Sequence, residues 1–326
     1  MTAIESRRFG GGTHSPPGVI VVGGEALVDL VPGAGDDLAA HLGGGPFNCA
    51  RTLGRLERPV AYLGRISSDR FGVRLREQLR ADGVSLDAVV DTDDPTTLAL
   101  AEVDEAGAAT YRFYIDGTSV PGLAVDAALS ALPERVDCVH VGTLGLVFEP
   151  TADALEAVVT QVAADALVMI DINIRPLVIR DPEAYRARLG RLLSRCHVVK
   201  ASDDDLRWLE PDRGEVEAAR ALLEAGPAVV LLTRGADGIT IVTREGEDDV
   251  PAHAAEVVDT IGAGDAFGGG FLAWWSANHL GAGELGRRDA LREATRFASL
   301  VAARTVERAG ASPPWLAELP QRADDA

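Results

Sequence analysis

Apolar and polar positions follow two rhythms along this chain. Short apolar runs, Val19–Val22, Cys138–Val141, Leu167–Ile172, His197–Lys200 and Ala228–Thr233, read as buried strands. Between them the apolar positions recur at helical spacing. Phe71, Leu75 and Leu79 lie at i, i+4 and i+8, and Leu291, Ala294, Ala298 and Val301 keep a similar stripe through RRDALREATRFASLVAARTV. Strands alternating with helices in this way predict an α/β fold, a doubly wound, mainly parallel sheet flanked by helices. One stretch breaks the rhythm: TTLALAEVDEAGAATYRFYIDG alternates with period two on both sides of Asp104-Glu105-Ala106-Gly107, the pattern of an antiparallel hairpin. Ala26–Val31 alternates too, directly after the first core strand and across Gly23-Gly24. Together these segments predict a small β-sheet lid over a cleft, inserted at about 26–42 and 90–120 into a core spanning 19–312. Residues 1–18, rich in Gly, Pro, Ser and Arg, predict a flexible tail, and 313–326 a loosely ordered one.

Composition narrows the partners. Of 326 residues 47% are apolar, enough for a sizeable core, and 31 Lys plus Arg against 50 Asp plus Glu give a net charge of −19. Such a surface disfavours general affinity for nucleic acid or anionic membrane, so an anionic ligand must be held by local geometry. The longest apolar stretches, Val19–Val22 and Ala228–Leu232, fall far short of the roughly 20 residues that span a bilayer. The N-terminus carries two arginines with no apolar run behind them, so it does not read as a secretory signal, and a cytoplasmic location is expected. Cys49, Cys138 and Cys196 show neither CxxC nor Cys/His spacing and read as buried thiols.

The run Asp259-Thr260-Ile261-Gly262-Ala263-Gly264-Asp265-Ala266-Phe267-Gly268-Gly269-Gly270 carries the chemistry. Small residues let the backbone turn tightly and bring its N–H groups to a ligand, while the helix that follows points its positive dipole end at the same spot. A carboxylate there repels phosphate unless it faces another substrate, as a base accepting a hydroxyl proton does; Asp265 is the candidate base. Alternatively Asp265 caps a helix and the glycines only turn the chain.

This run resembles the C-terminal signature DTxGAGDxFxxG of the ribokinase/PfkB family of carbohydrate kinases, with every defining position present. The family's N-terminal pattern is similar to Gly23-Gly24-Glu25-Ala26-Leu27-Val28-Asp29 and Gly43-Gly44-Gly45-Pro46-Phe47-Asn48-Cys49-Ala50, so the resemblance spans nearly the whole folded chain. It implies a ribokinase-like fold and ATP-dependent phosphorylation of a sugar, in which Asp265 deprotonates the hydroxyl and the amides of Gly262, Ala263 and Gly264 stabilise the transferring phosphoryl group. It also implies sugar contacts from Asp29, Gly44 and Asn48. Judged by itself, Asp29 in an alternating strand is more often a solvated edge charge, and Gly44 and Asn48 are equally a plain helix start.

Further segments follow strand ends, where ligands of open α/β sheets gather. Asp171-Ile172-Asn173-Ile174-Arg175-Pro176 is similar to a DxNxR segment of fructokinases and 2-keto-3-deoxygluconate kinases, which implies Asn173 near phosphate and Arg175 as a stabiliser of transferred charge. The alternative is an ion pair of Arg175 with Asp171 or Asp181. Lys200-Ala201-Ser202-Asp203-Asp204-Asp205 matches a family segment usually written with Asn and Glu at the Ser202 and Asp205 positions. Lys200 is then expected at the nucleotide, and Ser202 and Asp205 at Mg²⁺ through water; without the resemblance the run is a helix start capped by Ser202. Leu232-Thr233-Arg234-Gly235-Ala236-Asp237-Gly238 resembles the family's nucleotide segment, implying Thr233, Gly235 and Gly238 beside ATP, or else an ordinary hairpin turn. Ala298–Ala303 is offered equally as a wall of the base pocket or as helix packing. The family's monovalent-cation site, for potassium, maps to Asp259 and Gly310-Ala311, although Pro313-Pro314 departs from the common serine-containing ending.

The likeness of GTLGLVFEP and FYIDGTS to bacterial fructokinase-type members favours a ketohexose, fructose first. A 2-keto-3-deoxygluconate kinase, a ribokinase or a nucleoside kinase remains open, the last because Tyr111, Phe113 and Tyr114 make the lid aromatic. Outside this class stands a sugar or nucleotide sensor without turnover. The alternating hairpin also offers an edge through which the lid can form a homodimer.

Overall fold

The computed structural model describes residues 18–32, 37–103, 109–162 and 166–320. The strands are β1 (Val19–Gly23), β2 (Leu27–Pro32), β3 (Leu38–Gly43), β4 (Val60–Ser67), β5 (Val89–Thr92), β6 (Leu98–Val103), β7 (Ala109–Tyr114), β8 (Val136–Gly142), β9 (Leu167–Asp171), β10 (Val198–Ser202), β11 (Val229–Thr233), β12 (Ile239–Thr243) and β13 (Gly246–Val250). The helices are α1 (Gly45–Arg55), α2 (Arg70–Ala81), α3 (Val125–Ser130), α4 (Thr151–Gln161), α5 (Pro182–Leu193), α6 (Asp203–Leu209), α7 (Glu215–Glu224), α8 (Ala263–Ala277) and α9 (Arg288–Val306). Among the described residues none of them is long and apolar enough to cross a membrane.

Nine strands form one sheet in the order β13-β12-β11-β10-β9-β8-β1-β4-β5. Pairing is parallel from β11 to β5 and antiparallel only where β12 and β13 extend the edge. The chain winds one way through β1, β4 and β5 and the other way through β8 to β11, so β1 and β8 flank the switch point. Both faces are covered because successive side chains of the continuous apolar strands point to opposite sides. Ile20, Val22, Met169 and Leu231 pack under α1, α2, α8 and α9, whereas Val21, Val139, Ile170 and Val230 pack against the helices from α3 to α7. A fully buried side chain such as Leu53 or Phe271 contributes roughly 1.5–3 kcal/mol of transfer free energy. The helical stripes sit largely as their spacing predicts: Leu75 and Leu79 are buried on α2 with Phe71 half-buried at its start, and Leu291, Ala294, Ala298 and Val301 are buried on α9.

A separate sheet has four strands in the order β3-β2-β6-β7; β2, β6 and β7 come from the alternating segments, and β3 adds a strand that no alternation marked. Its central pair, β2 and β6, is parallel, with Asp29 opposite both His41 and Ala99. The expected hairpin is β6 and β7, paired antiparallel; its turn at 104–107 lies outside the described residues. The second excursion starts later than position 90, because β5 pairs in parallel with β4 and belongs to the large sheet. The expected tail over residues 1–18 falls almost wholly outside the described residues.

The stretch from Pro313 corrects the expectation of a loose end as far as residue 320. Arg55 donates to Pro313 O at 2.5 Å and lies over the Trp315 ring, Arg308 pairs with Glu318, and Leu319 joins the core. The anchor at 313–319 combines a cation–π contact with a buried carbonyl acceptor, and the polar ending QRADDA lies outside the described residues.

Candidate active site

The site grows from the switch-point ends of β1 and β8 and from the glycine turn before α8. Gly262 adopts φ +77, a left-handed conformation, and stands as the N-cap of α8. A Cβ there would lie 2.6 Å from the Cβ of Ala311, so only glycine permits the contact. The N–H of Ala263 turns back to Thr260 O at 3.3 Å, whereas those of Gly262, Gly264 and Asp265 have no protein partner. Three orphan donors at the start of a fifteen-residue helix leave the turn open to an anion. Ala263 is therefore not among the free donors, contrary to the sequence expectation, because a tight turn ahead of the helix uses its hydrogen.

Asp265 lies in the first turn of α8, and its Oδ2 accepts from Asn48 Nδ2 at 2.9 Å. Burial raises its carboxyl from 3.8 to about 6, reinforced by Asp171 and opposed by Asn48, Lys200 and Arg175. Helix α1 delivers Asn48: Gly44, at φ +111, forms its N-cap and Pro46 occupies its first turn. A Cβ on Gly44 would meet Glu25 O at 2.5 Å. Asn48 Oδ1 is buried without a partner, an acceptor available to a hydroxyl donor.

Asp29 faces the same cleft from β2. Its carboxylate accepts no hydrogen bond among the described residues, and burial raises it to about 6 against the attraction of Arg175. A Cβ on Gly43 would overlap Asp29 Oδ2, so the glycine run makes room for this carboxylate. Arg175 is exposed, and its charge acts on both Asp29 and Asp265. It pairs with neither Asp171 nor Asp181: it donates to Asn173 Oδ1 at 2.6 Å and to Ile174 O at 3.1 Å, while Asp181 caps α5. Asn173 takes φ +36, which bends the chain sharply out of β9.

Lys200 does not reach an open pocket. It is 4% exposed, and its Nζ stands 2.9 Å from both oxygens of Asp171. That ion pair lies beneath the α8 turn, with Nζ 3.1 Å from where a Cβ on Gly264 would sit. Burial pushes the ammonium down, but Asp171 outweighs it and the net shift is upward. Ser202 and Asp205 do not form an open acidic face for magnesium. They make a capping box on α6, and the other oxygen of Asp205 accepts from Ile174 N at 2.6 Å. The short Asp side chain at the third helical position reaches back to the Ser202 amide, and this satisfies the carboxylate internally. Its effect is to hold the Asn173–Arg175 bend in place. Among the described residues no group of three or more His, Cys, Asp and Glu side chains gathers to bind a metal.

Thr233 ends β11 beside Ser202, and Gly235 and Gly238, at φ +53 and +90, form the turn into β12. The turn is thus a real hairpin and also stands at the carboxyl edge of the sheet, with Asn173 and Ser202. Ala298 and Val301 pack on Gly270 of α8, so this part of 298–303 is helix packing, one of the two alternatives. Asp259 accepts from Ile261 N at 2.9 Å and from Gly310 N at 2.8 Å, which ties the loop before the turn to the C-terminal segment.

Glu25 carries a role that sequence reasoning missed. It is 2% exposed and accepts from Thr143 Oγ1, from Gly45 N at 3.1 Å and from Gly145 N at 3.0 Å. Burial raises it to about 7 against those hydrogen bonds. The carboxylate therefore locks the Gly43–Gly45 loop to the end of β8, and a Cβ on Gly45 would come within 3.2 Å of Asp265 Oδ1. Its only signal was its position after a strand ending in Gly-Gly.

A carboxylate and a free anion-binding turn thus stand together, with an exposed arginine whose charge acts on that carboxylate. The pfkB family of carbohydrate kinases is matched over residues 20–318. The chain belongs to that family. It is a sugar kinase, with relatives among the fructokinases: it is 35% identical over 266 residues to a fructokinase of Rhizobium leguminosarum bv. trifolii, covering 80% of this chain and 81% of that protein. In three dimensions the kinase resembles the fructokinase of Xylella fastidiosa solved with bound ATP, with TM-score 0.84, 28% identity, and coverage of 92% of this chain and 96% of that one. It also resembles a double mutant of the Vibrio cholerae O395 fructokinase in a fructose-, ADP- and potassium-bound form, with TM-score 0.80, 25% identity and coverage of 91% and 95%.

Proposed function

We propose that this kinase transfers the γ-phosphoryl group of MgATP to a hydroxyl of a ketohexose, fructose first, with Asp265 as general base. The observation that carries the proposal is the joint placement of Asp265 and three free amides in the first turn of α8. The amides of Gly262 and Gly264 hold the transferring phosphoryl group, and the carboxylate one residue further on takes the acceptor proton. Asn48 aims that carboxylate, Asp29 grips the sugar through paired hydroxyls, and Gly44 lets the chain pass close to it. Arg175 balances charge as it moves from donor to acceptor oxygen. The hairpin at Thr233, Gly235 and Gly238 borders ATP, together with Asn173; Lys200 acts from beneath the turn through its field. Magnesium arrives with ATP as part of the substrate.

The Vibrio relative's fructose supports the choice of sugar, and its potassium supports a monovalent cation beside Asp259 and Gly310. The residues fit such an ion, because among the described residues Asp259 is hydrogen-bonded to backbone amides alone and no cationic side chain neutralises it. A cation held there would brace the loop ahead of the α8 turn. A cytoplasmic setting suits an ATP-dependent enzyme whose three cysteines are free and buried.

Release of ADP measured with MgATP against fructose, 2-keto-3-deoxygluconate, ribose and adenosine tests the reading. Fructose is expected to give the highest kcat/KM. Preference for another acceptor overturns the substrate, and absence of turnover on all of them overturns catalysis in favour of a sensor.

The small sheet serves as a lid that closes over the sugar and excludes water. Leu38 and Tyr114 are 54% and 51% exposed on its two edge strands, which favours pairing with a second copy of this chain. Light scattering is expected to report a dimer at micromolar concentration, and a monomer at every concentration tested contradicts the pairing.

A further inference from the structure

One face of α1 does more than present Asn48. Asn48, Arg51 and Arg55 follow at i, i+3 and i+7, so they line one side of the helix. Asp82, at 1% exposure, accepts from Arg51 Nε at 2.6 Å, from Arg55 Nε at 2.8 Å and from Gln78 Nε2 at 2.9 Å. Two buried guanidinium groups share one carboxylate, and each spends another donor on the C-terminal segment. Arg51 Nη1 binds Ala311 O at 2.7 Å, whereas Arg55 Nη1 binds Pro313 O at 2.5 Å. Ala311 is the residue whose methyl group presses on the left-handed Gly262, and its neighbour Gly310 is bound to Asp259. Arg51 thus stands behind the phosphoryl-binding turn, one helical turn along from the side chain that orients Asp265.

We propose that Arg51 is a positioning residue for phosphoryl transfer: by clamping Ala311 against Gly262 it fixes the free amides of the α8 turn relative to the sugar side of the cleft. The inference rests on the kinase reading above and adds to it a coupling between the acceptor-binding and donor-binding halves. A guanidinium suits the task because its planar fork bonds Asp82 and Ala311 O in fixed directions. Asp82 neutralises the cation and Ala311 O satisfies a further guanidinium N–H, so the segment cannot drift without leaving that largely buried donor unsatisfied. A displacement of about 1 Å in such a turn is enough to cost on the order of a hundredfold in rate.

Arg55 provides the internal comparison. It draws on the same Asp82 but grips Pro313 O and the Trp315 ring, beyond the residue that touches the turn. Steady-state kinetics with fructose and MgATP, calorimetric titration of fructose without nucleotide, and thermal melts of the full-length variants separate the two. Arg51→Met is expected to lower kcat by about 10–100-fold with fructose Kd held within about threefold, and Arg51→Lys to recover part of the loss. Arg55→Met is expected to lower Tm to a similar extent with kcat within about threefold of the unsubstituted enzyme. An unchanged kcat in Arg51→Met, or equal kcat losses at both arginines, overturns the proposal, since a merely structural clasp moves Tm at both positions and separates neither. If the unsubstituted protein turns over another acceptor of that panel instead of fructose, the same measurements are made with it; no turnover on any of them overturns the kinase reading, and this inference with it.

Discussion

Asp265→Asn is expected to lower kcat by about 10²–10⁴ while the sugar still binds. The amide keeps the shape of the side chain and its hydrogen bond to Asn48, so geometry survives and only the proton acceptor is lost. The pH profile gives a second readout. With its carboxyl raised to about 6, Asp265 is ionised above that pH and protonated below it, so kcat falls as pH drops through about 6. The same shift has a cost in stability. Because the folded pKa lies above the ordinary value of 3.8, the native state binds more protons than the unfolded chain between these values. The stabilisation is present below about 4 and is lost as pH rises through about 6, so at neutral pH the ionised carboxylate destabilises the fold. The Asn variant escapes this cost, and its Tm at pH 7 should equal or exceed that of the parent while its acid limb in kcat disappears. Calorimetry and rate measurements from pH 5 to pH 8 check both. A variant that keeps near-normal kcat, or one that loses activity together with Tm, argues against a proton acceptor at this position.

The parts of this molecule that were legible in the sequence are those whose physics is local. Period-two alternation revealed β2, β6 and β7 of the small sheet but not β3, whose LAAHLG does not alternate, and the i, i+4 stripes revealed α2 and α9, because burial of one face imposes those spacings. The glycine turn before α8 was legible because a left-handed residue and a close backbone approach demand small side chains in sequence. Partnerships across the fold left no such trace. Nothing near Lys200 in sequence indicates that Asp171, from the neighbouring strand, neutralises it. Nor does anything near Ser202 indicate that Asp205 is committed to Ile174 N, 31 positions away. The acidic run therefore suggested a metal where the fold uses it to close a helix and brace a bend. Glu25 and Arg51 escaped notice for the same reason: a carboxylate serving two loops and a guanidinium serving a distant carbonyl are defined by tertiary contacts alone.

Asp29→Ala is expected to act on the opposite parameter, raising the sugar KM by about a hundredfold or more while the KM for ATP stays within about threefold. The carboxylate has no hydrogen-bond partner among the described residues, so its hydrogen-bonding capacity is free for the acceptor, and charge-assisted bonds of this kind are worth roughly 1.5–3 kcal/mol each. Two such bonds lost to one substitution account for the size of the effect. Burial also raises Asp29 to about 6, and grip on the sugar should weaken as pH falls through that value. Since Asp29 and Asp265 must both be ionised, kcat/KM is expected to fall on the acid side more steeply than a single proton allows, with a limiting slope approaching two. The two carboxylates then separate by substitution. In Asp29→Asn the steep limb relaxes to a single proton in kcat/KM and the limb in kcat survives; in Asp265→Asn the limb in kcat is gone. Equal effects of Asp29→Ala on the two KM values, or a single-proton limb already in the unsubstituted enzyme, remove Asp29 from the sugar site and leave it a solvated charge on the small sheet.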